Sequence, residues 1–140
     1  MGRYINMANA GFQSARNGEY VDKSALISVV NSTLFSERRF SCVSRCRRFG
    51  KSMAAKMLAA YYDHSCDSRA LFADLQIAHD ASFEKHLNQY PVIYLDMTGF
   101  TTRYHDNDDI VKHIDAALKA DVAKAYPKVA DRRQLAAANV

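Results

Sequence analysis

Phe40-Ser-Cys-Val-Ser, then Arg45-Cys-Arg-Arg-Phe-Gly50, then Lys51-Ser-Met-Ala-Ala-Lys-Met-Leu-Ala-Ala-Tyr-Tyr62 follow one another without a break. The first piece is short, apolar and β-branched, the pattern of a buried strand. The second is a basic loop that ends on a glycine. The third is rich in Ala, Met and Leu, and places Ala54, Met57, Leu58 and Tyr61 on one apolar stripe, which predicts an amphipathic helix from Lys51 to Tyr62. Strand, loop and helix in that order predict an α/β fold in which a small sheet is flanked by helices, with residues 40–62 as its centre.

On the N-terminal side, Tyr20-Val-Asp-Lys-Ser-Ala-Leu-Ile-Ser-Val-Val-Asn31 predicts a short helix capped by Asp22, with Leu26, Val29 and Val30 as its apolar residues. On the C-terminal side, Ala70-Leu71-Phe72 and Leu75 mark an apolar anchor, and Ser82 to Leu87 a short helix. Pro91-Val-Ile-Tyr-Leu-Asp-Met97 predicts a second strand, with proline at the first position, where a missing N–H is tolerated. After a Thr98–Thr102 loop, Ile110, Ile114, Ala117, Leu118, Val122 and Ala125 repeat at three and four, predicting a long helix that ends near Pro127. A basic, Ala-rich tail occupies residues 128–140.

The 140 residues, 49% hydrophobic and 24% charged, suit one domain over 1–140. No run of about 18 apolar residues appears, and Met1 to Ala10 lacks the order of a secretory signal, so the reading is cytoplasmic with no membrane contact. Cys42, Cys46 and Cys66 have neither CxxC spacing nor a histidine at a zinc-finger interval, which argues against structural zinc and a disulfide framework. His105 beside Asp106, Asp108 and Asp109 reads as a polar loop and an acidic first helical turn rather than a metal cluster. The net charge of +4 is concentrated: Arg38, Arg39, Arg45, Arg47, Arg48 and Lys51 stand against Glu37 alone. Such a cluster attracts phosphates, nucleic acid or an acidic protein face.

The loop sits where a phosphate loop of the GxxxxGK[ST] type requires it, after a strand and at the start of a helix. Backbone N–H groups and the helix dipole there favour an anion. Gly50 permits close backbone approach, Lys51 reaches terminal phosphates, and the Ser52 hydroxyl ligates Mg²⁺. Arg45, Arg47, Arg48, Phe49, Gly50, Lys51 and Ser52 are the candidate nucleotide-binding residues, with ATP and Mg²⁺ as ligands. Arg45 occupies the position of the pattern's first glycine.

Phe12, Arg16, Tyr20-Val-Asp-Lys-Ser24, Arg45-Cys-Arg-Arg-Phe-Gly-Lys-Ser52, Leu71-Phe72 and Tyr90-Pro-Val-Ile-Tyr-Leu-Asp96, in this order, resemble the N-terminal part of the predicted AAA-ATPase-like family. That resemblance implies a truncated P-loop NTPase-like domain and makes Arg45 expected, since the family's loop is of RPRRFGKS type. Cys46 departs from the family's proline but removes no phosphate contact, because proline has no N–H to offer. The family's acidic strand, resembling LIDEYD, has no counterpart before Val140, and Asp96 matches an earlier strand instead. Hydrolysis by this chain alone is therefore not expected.

The resulting expectation is a non-hydrolysing protein that binds a macromolecular partner through Arg38, Arg39, Arg47 and Arg48 or through an open sheet edge. A small inhibitor of a nucleic-acid-targeting nuclease, of anti-CRISPR type, is the concrete version, and direct nucleic-acid binding through the basic loop is another. The alternative is a nucleotide-binding ATPase-like module completed by homo-oligomerisation, in which Asp96 would serve as the acid. An incomplete sheet motivates oligomerisation in both cases.

Overall fold

The computed structural model describes residues 3–44 and 46–128, and they divide into two units: 8–92, and 3–7 together with 93–128. Unit 8–92 holds α1 (Ala10–Arg16), α2 (Ala25–Thr33), α3 (Lys51–Tyr62), α4 (Arg69–Phe72), a 3-10 turn at Gln76–His79, and α5 (Phe83–His86). The other unit holds α6 (Thr98–Thr101) and α7 (Asn107–Ala125).

The expected α/β fold with a small sheet is overturned. The described residues form no sheet; their β pairings are isolated bridges, Ile5 with Ile93 and Asp63 with Tyr90. Residues 40–44 are exposed throughout and without regular structure, with Phe40 at 84% exposure. Residues 91–95 alternate between exposed and half-buried positions, 96 and 97 are exposed, and the stretch has a β-bridge only at Ile93. A β-branched stretch becomes a strand only when a neighbour satisfies its N–H and C=O groups, and neither stretch has a ladder partner.

Helices supply the core instead. In unit 8–92 the buried cluster joins Phe12 of α1, Ile27 of α2, Met57, Ala60 and Tyr61 of α3, Phe72 of α4, and Leu75, Ile77, Phe83 and Leu87. Phe72 stacks on Phe12 with ring centroids 5.0 Å apart and meets the Tyr61 ring edge-on at 5.5 Å. α1 packs on α3 at Gly11, where a Cβ would lie 3.5 Å from the Lys56 side-chain stem. Arg16, at the end of α1, donates to the Leu71 carbonyl and to both Asp74 carboxylate oxygens.

A buried polar network runs through the same core. The Tyr61 hydroxyl donates to the Phe83 carbonyl at 2.7 Å, Tyr62 donates to Asn31 Oδ1 at 2.6 Å, and Asn31 Nδ2 donates to Ser82 Oγ at 2.8 Å. Burial pushes the Tyr62 hydroxyl far above the usual tyrosine range, so it stays a donor. At the edge of this network Ser28 and Ser82 hold the Asp80 carboxyl at about 2.

In the other unit, the Asp121 carboxylate of α7 accepts the N–H groups of Tyr4 and Ile5, and Tyr94 N–H donates to the Tyr4 carbonyl at 2.8 Å. α7 is capped by Asp106, whose side chain accepts the Asp108 N–H, with Asp108 and Asp109 in the first turn, as the acidic-turn reading had it. Its stripe Ile110, Ile114, Ala117, Leu118 and Val122 is half-buried. Among the described residues no helix is long and apolar enough to cross a membrane.

Candidate functional site

α3 starts at Lys51 because Gly50, its N-cap, adopts the left-handed conformation (φ 78°) that ends the loop and that side chains disfavour. Arg48 is left-handed as well, with φ 68°. Two such residues within three positions coil residues 46–50 tightly. The first-turn N–H groups of a helix have no intrahelical acceptor, and Gly50 offers no side chain to cap them.

Two lysines grip this loop by its carbonyls. Lys51 Nζ donates to the Cys46 carbonyl at 3.2 Å, and Lys23 Nζ donates to the Phe49 carbonyl at 2.7 Å. Lys23 lies so close that a Cβ on residue 50 would sit 2.9 Å from its Nζ. A cleft of about 370 Å³ opens beside the loop, lined by Lys23, Leu26, Val43, Phe49, Gly50, Lys51 and Ala54. Both lysines therefore line one cleft.

Of the expected nucleotide-binding residues, the structure places Phe49, Gly50 and Lys51 on that cleft and Ser52 exposed in the first turn of α3. Arg48 borders a second cleft on the loop, with Tyr20, Met53 and Met57, and Arg47 is exposed. Arg45 lies outside the described residues, as does the tail beyond Lys128. Arg38 is exposed, and Arg39 folds back, donating to the Ser36 carbonyl and lying 4.8 Å from the Phe40 ring centroid. Asp96 accepts the Thr98 N–H and belongs to the other unit.

Lys23 is the residue the loop motif leaves out, since its partner lies 26 positions away. Its neighbours hold it in place. Asp22 accepts the N–H groups of Ser24 and Gln76, each at 2.8 Å, and the fully buried Ser24 accepts the Ile77 N–H at 3.1 Å. Asp22 thus anchors the segment rather than occupying the N-cap of α2, which is Ser24. Burial works to raise the Asp22 carboxyl, but the Gln76 and Ser24 N–H groups outweigh it and hold it below the usual carboxylate range.

The donor set fits a phosphate chain: the Lys51 ammonium, a helix start, and a glycine whose missing side chain leaves the backbone approachable. For Mg²⁺ the fit is one ligand, the Ser52 hydroxyl, with the ion's other positions left to phosphate oxygens and water. Among the described residues no group of three or more His, Cys, Asp or Glu side chains is placed to hold a metal ion.

A family model described as predicted AAA-ATPase covers residues 10–139, which include the loop and both lysines. No curated protein and no solved structure matches the chain.

Proposed function

Because the chain belongs to the predicted AAA-ATPase family, we propose that the loop of residues 46–52 binds the phosphates of a nucleoside triphosphate, ATP with Mg²⁺ being the ligand pair. The observation that carries this reading is the left-handed Gly50 leading into α3 with Lys51 folded onto the Cys46 carbonyl. A lysine in that position holds the loop closed and can exchange one carbonyl for phosphate oxygens without moving the backbone. Ser52, one residue on, supplies a hydroxyl to the metal. Bound Mg²⁺ would neutralise charge between neighbouring phosphates. The groups gathered here donate hydrogen bonds and carry positive charge, which is the chemistry of holding phosphate, so binding is the activity proposed.

Thermal unfolding of wild type and Lys51→Ala, with and without Mg-ATP, tests it. At about 100 times the Kd the ligand stabilises the fold by roughly 2.7 kcal/mol, a rise in Tm on the order of 10 °C. The rise is expected in wild type and not in Lys51→Ala. A wild type that melts at the same temperature with and without Mg-ATP refutes the reading.

A second reading, engagement of a nucleic-acid partner, is favoured by the exposure of Phe35, Phe40 and Phe49 at 78%, 84% and 61% among the exposed Arg38, Arg39 and Arg47. Aromatic faces interleaved with arginine suit single-stranded nucleic acid. Titration of a fluorescent single-stranded oligonucleotide at about 50 mM salt is expected to show binding that weakens with added salt and is reduced in Arg38→Ala/Arg39→Ala. An oligonucleotide that does not bind removes this reading and leaves the first untouched. No observation on the described residues singles out a nuclease as partner.

A further inference from the structure

We propose that Lys23 is a positioning residue of the phosphate loop: by holding the Phe49 carbonyl it turns the Gly50 N–H toward the anion. This rests on the phosphate-binding reading above and assigns the Asp22-Lys23-Ser24 segment a part in it.

The argument starts from the peptide unit. All described peptide bonds are trans, so the carbonyl of residue 49 and the N–H of residue 50 point in opposite directions across one rigid plane. A donor on the Phe49 oxygen at 2.7 Å therefore sets the direction of the Gly50 N–H. Left alone, a carbonyl at the summit of the loop would face phosphate with its negative end. An ammonium on that oxygen turns it aside and offsets its charge, and glycine at position 50 leaves the peptide free enough to be turned.

Lys23 is built to do this repeatedly in the same place. The exposed side chain springs from a backbone tied down on both sides, by Asp22 to the Gln76 N–H and by Ser24 to the Ile77 N–H. These ties are to the 3-10 turn, not to the loop. Residue 50 is held to glycine by its left-handed backbone, φ 78°, and the mobile end of Lys23 reaches up to it.

The test is isothermal titration with Mg-ATP, well below the melting temperature, of wild type, Lys23→Met and Lys23→Arg. A charge-assisted hydrogen bond is lost in the methionine variant, so its affinity is expected to fall about tenfold. Lys23→Arg keeps a charged donor and is expected within about threefold of wild type. Melting curves without nucleotide separate this from a structural role: an exposed lysine whose neighbours hold the backbone should leave Tm nearly unchanged in both variants. If wild type binds and Lys23→Met binds equally well, the positioning role is overturned while the phosphate site stands. A folded arginine variant that loses about tenfold or more relative to wild type also overturns it, and this result is readable even if Lys23→Met does not fold. If wild type itself binds no Mg-ATP, it is the phosphate-binding reading that falls.

Discussion

Phe72→Ala is expected to lower the stability of unit 8–92 by about 3–5 kcal/mol, the range for removing a fully enclosed aromatic side chain. Phe72 is completely buried, stacked on Phe12 and met edge-on by Tyr61. It comes from a four-residue helix, too short to form by itself, so α4 exists because this ring is gripped between α1 and α3. The hole left by alanine cannot close easily. Its walls include Phe12 and Tyr61, which are held by longer helices and by the Tyr61 bond to the Phe83 carbonyl. Urea denaturation reads the loss as a fall in midpoint with an unchanged slope. Phe72→Leu, which keeps most of the volume, should lose less than half as much. A loss below about 1 kcal/mol for alanine would mean that the ring is not the keystone of this core. Since α3 also carries Lys51 and Ser52, the same variant should bind Mg-ATP only in the fraction that remains folded.

The second large effect is expected at Asn88. Its side chain donates to the carbonyls of Ala60 and Asp63 and accepts the Ser68 N–H, while its backbone N–H donates to the Tyr61 carbonyl. The last carbonyls of a helix have no partner within it, so Asn88 closes the C-terminal end of α3 from a loop distant in sequence. Asn88→Ala removes three side-chain hydrogen bonds at about 1 kcal/mol each and places alanine at φ 54°, where asparagine is better tolerated by about 1 kcal/mol, for a total of roughly 4 kcal/mol. Asn88→Asp should not rescue it, because a carboxylate would face the Ala60 and Asp63 carbonyls with no proton to give. Hydrogen exchange is the matching local readout: amides in the last turn of α3 should lose protection in Asn88→Ala, whereas those at its first turn should not. Uniform loss along the helix would point to global unfolding rather than an opened end.

Periodicity was a good guide wherever an element is shaped by its own residues. The Lys51–Tyr62 stripe marks α3 at both ends, and the three-and-four repeat from Ile110 marks α7 as far as the residue before Tyr126. Even there, the buried face was read less well than the helix. In α2 the buried positions are Ile27 and Asn31, while Val29 is 60% exposed, because Asn31 is drawn inward by Tyr61, Tyr62 and Ser82. A polar side chain that ends in the core leaves no trace in an apolar pattern. Thr98–Thr102, read as a loop, contains the short helix α6, whose buried Phe100 packs on Tyr4.

By itself the sequence determined α2, α3, α5 and α7 and the phosphate-loop motif, because helical hydrogen bonds and a Gly-Lys-Ser turn are made between residues a few positions apart. The order of its elements also carried the family resemblance, which the match over residues 10–139 bears out. Only the tertiary structure decided that Phe40–Ser44 and Pro91–Met97 form no sheet, since a strand is completed by a partner and not by its own composition. It also decided that Lys23 stands over Gly50 and that Asn88 closes α3. In both, a side chain satisfies a backbone carbonyl from a distant part of the chain, a contact that exists only once the fold has brought the two together.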